Sequence, residues 1–187
     1  MSLQQQQNFL AKLYTDEKLR RAFLSEPSKI GEENFLNRIE IAEIAEMLPE
    51  EISFFAESLF WKRLREVEKF LPLTRKVSGD EFQRFFREFS QSYNPQTIKK
   101  HLEDANEFCA FLQKSDFVSD ISKNTARYEQ SKLKFYSYGK KFVVCKLNFD
   151  VREIGEQFAK TSGKSLKKKT KIAVWFRVGN TVKHFFI

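Results

Sequence analysis

The sequence predicts an α+β protein: an amino-terminal all-α helical bundle over residues 1–118, then a small, mainly antiparallel β-sheet unit with one short helix over residues 124–187. Three observations carry this. Apolar residues recur at helical spacing through the first two thirds of the chain, and beyond Lys123 the period shortens to strand-like alternation. The charge changes sign at the same place: residues 1–123 hold 18 Lys/Arg and 21 Asp/Glu, whereas residues 124–187 hold 15 and 4, a net +11. With 187 residues, 41% hydrophobic and 31% charged, the chain can bury a core, and 21 phenylalanines supply apolar surface that would be costly to leave in water.

In the first region Phe9, Leu10, Leu13, Leu19, Ala22 and Phe23 predict two short helices divided at Thr15 or Asp16, with Pro27 closing the pair. Phe35, Leu36, Ile39, Ala42, Ile44 and Ala45 predict a single helix over 33–47. The clearest helix begins at Pro49, carries Glu50 and Glu51 at its positive end, and stops before Pro72 after about 22 residues, roughly 33 Å. A turn through Leu73–Val77 follows, and Ser78 with Glu81 reads as a capping box for a helix bearing Phe82, Phe85, Phe86 and Phe89 on one side. Asn94 and Pro95 predict the start of the next helix, running through Leu102, Phe108, Cys109 and Leu112.

Beyond Lys123 about four strands are expected. Leu133, Phe135 and Ser137 alternate with lysines and Tyr136, a turn falls near Gly139, and a second strand runs from Phe142 to Phe149. Residues 151–160 read as a short helix; Ile172, Val174 and Phe176 share a strand face, and Gly179-Asn180 suits a two-residue hairpin turn before residues 181–187.

Several chemistries lose support. Gly163-Lys164-Ser165 echoes a phosphate-binding loop, but Phe158 stands where its first glycine is required. His101 and Glu103 form half of a zinc-deaminase signature whose cysteine pair is missing. No G-x-S-x-G motif occurs, and Cys109 and Cys145 sit in apolar surroundings as reduced, small hydrophobes. No leader or membrane span is visible, so a cytoplasmic protein is expected, without enzymatic activity, cofactor, metal or small-molecule substrate.

The surfaces that could bind are basic. Lys160, Lys164, Lys167, Lys168, Lys169 and Lys171 crowd one stretch and, with Arg177 and Lys183, are the candidate nucleic-acid contacts; a solvated connector guarding a sheet edge is the favoured reading of the lysine run, since lysine clusters are common on surfaces. Tyr136, Tyr138, Trp175 and Phe176 are interleaved with Lys134, Lys140, Lys141 and Arg177, as in single-strand stacking platforms, although alternation favours core positions for most aromatics.

Residues 63–112, with Leu71-Pro72, "VSGDEF" from Val77 to Phe82, Phe86, Phe89, Pro95 and "EFCAFL" from Glu107 to Leu112, resemble an uncharacterised bacterial family that bears a DNA-binding-domain label. The resemblance implies a helical amino-terminal domain joined to a smaller α+β domain. For some members it also implies a role as partner of iron-dependent peptide-modifying enzymes, recognising the precursor peptide. The expectation is a non-enzymatic adaptor that recognises a protein or peptide, with DNA binding through the basic unit as the alternative.

Overall fold

A computed structural model describes residues 3–47, 49–160, 166–179 and 181–187; Gly163-Lys164-Ser165 and Asn180 lie outside the described residues. Among the described residues are ten helices and one three-stranded antiparallel sheet, an α+β layout. The chain forms two compact units, Met1–Leu64 with Arg87–Asn94, and Arg65–Phe86 with Pro95–Ile187. The expected boundary at 118–124 falls inside the second unit, because the helices on either side of it pack on each other.

The first unit contains α1 (Leu3–Thr15), α2 (Glu17–Ser25), α3 (Pro27–Glu33), α4 (Arg38–Ala45) and the first part of α5 (Pro49–Phe70). Asp16 divides α1 from α2 as expected, its carboxylate accepting from Leu19 N–H. The single helix expected over 33–47 is instead a break and a restart. Leu36 N–H donates to Gly31 C=O and Phe35 N–H to Glu32 C=O, a Schellman ending of α3 that puts Phe35 at φ 63°. Asn37 then opens α4 in a capping box with Glu40. Gly31 is required there: a Cβ would stand 2.4 Å from Ile41 Cγ1. Phe9, Leu13, Phe23, Leu36, Ile41 and Ile44 form this core, with Phe9 edge-on to Phe23.

The second unit takes the last turns of α5, then α6 (Pro72–Ser78), the first half of α7 (Glu81–Ser92), α8 (Lys100–Lys114), α9 (Asp120–Tyr136), β1 (Phe142–Leu147), α10 (Val151–Lys160), β2 (Lys171–Val178) and β3 (Thr181–Phe186). Four expectations are corrected. Leu73–Val77 is helix, since Pro72 takes the first position of α6. Ser78 ends that helix rather than capping the next, and its hydroxyl meets Ser122 Oγ at 3.1 Å. The helix expected from Pro95 starts at Lys100, because the Glu103 carboxylate folds back onto the amides of Gln96 and Thr97. Residues 133–136, expected as a strand, are the last turn of α9, so the sheet has three strands rather than four. In α9 the buried stripe includes Ser122, Asn124, Thr125 and Glu129 as well as Ala126, Leu133 and Phe135, and a polar stripe leaves no apolar helical period to read.

These buried polar groups have partners. Glu129 is 3% exposed, and its two oxygens accept from Leu73 N–H and Thr74 N–H, each at 2.9 Å. They satisfy the open amides of α6, whose own N-cap, Leu71, has no side-chain oxygen to offer. Asn124 accepts from Asn148 N–H at 2.7 Å and Phe149 N–H at 3.2 Å, and donates to Phe149 C=O. It holds the corner between β1 and α10.

Removing the Glu129 carboxylate strands the buried Thr74 amide and the half-buried Leu73 amide. Glu129→Ala is therefore expected to cost about 2–4 kcal/mol in urea unfolding. Burial pushes the Glu129 carboxyl above its ordinary range, against the pull of hydrogen bonds from Thr74 and Leu73. The folded state thus holds the proton more tightly than the unfolded one. Its contribution is full below the unfolded carboxylate range and is lost as pH rises through the raised folded value. Stability measured relative to Glu129→Gln should accordingly shift in favour of the wild type as pH falls from neutrality toward the carboxylate range.

Phe35 is 75% exposed and held in the left-handed region. Phe35→Gly should raise unfolding free energy by up to about 1 kcal/mol, whereas Phe35→Ala should not, because only glycine escapes the Cβ penalty.

Candidate functional site

The sheet is ordered β1-β2-β3 and is antiparallel throughout. Residues directly opposite one another share a face, so the register sorts the side chains. The inner face carries Val143, Cys145 and Leu147 of β1, Ala173 and Trp175 of β2, and His184 and Phe186 of β3. Its apolar members pack with Phe135 and Tyr128 of α9 and with Val151 and Ile154 of α10. The Trp175 and His184 rings stack at 4.6 Å, and Tyr128 lies 5.4 Å from Trp175 and 6.0 Å from Phe186.

The outer face carries Phe142, Val144, Val174, Phe176, Val178 and Phe185 together with Lys146 and Lys183. Phe142 is 64% exposed, Val144 52% and Phe185 42%, and Phe176 meets Phe185 edge-on at 5.8 Å. An apolar patch of this kind on a sheet face makes it a candidate binding surface.

Hydrogen-bond parity locates the open backbone. Ile172 and Ile187 exchange both N–H···O=C bonds, at 3.0 and 2.9 Å. In an antiparallel ladder the bonded pairs alternate, so Val174–Phe185, Phe176–Lys183 and Val178–Thr181 are bonded too. The N–H and C=O groups of Val182, His184 and Phe186 consequently point away from β2, along an edge that no described residue pairs with. On the opposite edge, by the same parity from the Arg177 N–H···Lys141 C=O bond, the exposed residues Phe142, Val144 and Lys146 of β1 turn their backbone groups outward; there the alternate residues Val143, Cys145 and Leu147 are half-buried or buried, whereas on β3 Thr181 through Phe185 are all exposed.

The three strands contain four cations, Lys146, Lys171, Arg177 and Lys183, and no carboxylate. The basic residues singled out from sequence do not gather into one patch. Lys160 closes α10, and Lys164 lies outside the described residues. Lys167, Lys168 and Lys169 are exposed in the connector to β2, where Lys168 pairs with Asp120 at 2.8 Å and Lys169 N–H is committed to Asn148 C=O. Lys171 and Arg177 sit at opposite ends of β2, about 20 Å apart at the rise of a strand, with the Arg177 guanidinium over Phe135. Lys183 belongs to the outer face. Of the interleaved aromatics, Trp175 is core, Phe176 is on the outer face, and Tyr136 and Tyr138 are exposed beside the end of α9.

Other groups with chemical potential are already engaged. In the first unit a cleft of about 50 Å³ is lined by Arg20, Arg63 and Arg87 beside Glu57. Arg87 grips Glu57 through two hydrogen bonds, at 2.9 and 2.5 Å, and its hydrogen bond holds the Glu57 carboxyl below its usual range. Arg20 donates to Leu13 C=O and Arg63 to Tyr93 C=O. In the second unit the carboxylate of the H-x-E pair is spent on the Gln96 and Thr97 amides. Cys109 and Cys145 are free and buried, and burial pushes both thiols up, Cys109 most, which makes them poor nucleophiles. Among the described residues no group of three His, Cys, Asp or Glu side chains could hold a metal ion, and no helix is long and apolar enough to cross a membrane.

The outer face, and which strand supplies the open edge, are what the sequence reading missed. A signal was present: in "KFVVCKL" both alternate sets are apolar, Phe142 and Val144 as well as Val143, Cys145 and Leu147. Such a run belongs to a strand with two apolar faces, of which α9 and α10 cover one. No protein-family model matches the sequence, and no curated protein matches it.

Proposed function

We propose that this protein is a non-enzymatic accessory protein that captures an extended segment of a partner polypeptide by adding it as a fourth strand beside β3. The observation that carries the reading is the open edge of β3, where the main-chain groups of Val182, His184 and Phe186 face outward and Thr181–Phe185 are exposed. An unpaired edge of this kind is a template for another chain: main-chain hydrogen bonds supply affinity, and the alternate side chains supply selectivity. The usual guards against unwanted pairing are sparse. β3 has no proline, and Lys183 is its one lysine. The apolar outer face extends the same surface sideways, so a bound strand could bury side chains against Phe185 as well as pair its backbone.

A second reading, binding of DNA or RNA, draws on the net +11 of residues 124–187 and on exposed Phe142 and Phe185 flanked by Lys146 and Lys183. The dispersal of Lys171, Arg177 and Lys183 over two faces makes it the lesser one.

Val182→Pro separates the two. Its N–H points outward, so proline there removes an edge donor without breaking a β2–β3 bond, and edge strands tolerate it. With a displayed random-peptide library as probe, wild-type protein should select extended peptides that perturb the β3 amides. The Val182→Pro protein should keep its fold by circular dichroism and lose them. If the library yields nothing, while labelled single-stranded DNA or RNA binds with a steep salt dependence that Lys167, Lys168 and Lys169 to alanine abolishes, the strand-capture reading fails and the nucleic-acid reading replaces it.

A further inference from the structure

The register of β3 constrains the ligand beyond its being extended, in a way that rests on the strand-capture reading. A fourth strand that continues the antiparallel order forms its bonded pairs with Val182, His184 and Phe186, whose backbone groups face out. Lys183 and Phe185 then occupy the non-bonded positions of the new ladder, where facing side chains approach most closely, and both belong to the outer face. Because the strands run in opposite directions, the ligand residue facing Phe185 comes two places before the residue facing Lys183.

The chemistry at these two positions is distinct. Phe185 is 42% exposed, edge-on to Phe176 and opposite Val174, so an apolar side chain facing it would complete a cluster that is open on one side. Lys183 is exposed, and neither β3 nor β2 offers it a carboxylate. A cation in this position favours an opposite charge directly across and disfavours a like one. We infer that the ligand is an acidic peptide segment with the pattern apolar–any–Asp/Glu, the apolar side chain facing Phe185 and the carboxylate facing Lys183. Charge complementarity also selects against a second copy as occupant, because residues 181–187 contain no Asp or Glu to place opposite Lys183.

A charge swap tests this on the full chain. Two extended peptides that differ in one residue, one with Phe-Thr-Glu and the other with Phe-Thr-Lys at the centre, are titrated into the wild type and into Lys183→Glu. Binding is read by fluorescence anisotropy, and the β3 amides by NMR. Lys183 is on the surface, so the substitution should leave the fold intact, which the amide spectrum checks directly. The wild type should prefer the Glu peptide by about fivefold, the range that cross-strand charge pairs allow, and Lys183→Glu should reverse the preference. If both peptides bind the wild type equally while perturbing Val182, His184 and Phe186, strand capture stands and the acidic pattern is overturned. If neither peptide binds and the β3 amides never move, the strand-capture reading falls, and the pattern with it. Protection of those amides in a peptide-free dimer would identify a second copy as occupant and likewise overturn the proposal.

Discussion

The second unit depends on one helix with a wet side turned inward. Helix α9 buries Asn124, Thr125 and Glu129, groups that are unfavourable in a core unless every polar atom is met. Here the penalty becomes information. Glu129 can be accommodated only where two open amides await it, at the start of α6, and Asn124 only where the backbone of Asn148 and Phe149 presents both donors and an acceptor. An apolar α9 would stick to its neighbours in many registers. The polar one is satisfied in very few, so these hydrogen bonds set where α6 and the β1–α10 corner lie against it.

That constraint fixes which side of the sheet is dry. Once Asn124 has set the corner, Tyr128 and Phe135 of α9 and Val151 and Ile154 of α10 lie over the inner face and close the cluster around Trp175. None of these elements reaches the outer face at Phe142, Val144 and Phe185, which stay in contact with water although their composition is that of a core. The same geometry leaves β3 as an edge. The proposed ligand therefore joins a sheet whose other side is already built, and the cost of ordering falls on the arriving strand rather than on the protein.

The absence of carboxylates from the strands is a further consequence of layout. Acidic residues are plentiful in the chain, 25 in all, but only four lie beyond Asn124, and two of those are structural: Glu129 caps α6, and Asp150 accepts from Arg152 N–H at the start of α10. The Asp150 carboxyl is held below its usual range, mainly by the Arg152 guanidinium. The strands themselves carry cations and no carboxylate, and the proposed acidic ligand complements Lys183.

Local chemistry determined much of this protein without help from the fold. Pro49 with Glu50 and Glu51 begins a helix wherever it is placed, Asp16 caps α2 through its own third amide, and alternation in residues 171–187 makes strands; each signal acts over a few residues and is legible in the sequence. Tertiary structure decided the rest. Leu73–Val77 is helical because a carboxylate more than fifty positions away meets its first amides, and residues 133–136 are helical because their polar neighbours upstream are buried and paired. Which alternate face of β1 is covered, and whether the edge of β3 is met by another strand, are likewise settled between segments far apart in sequence, since a strand carries the same residues whether its edge is paired or bare.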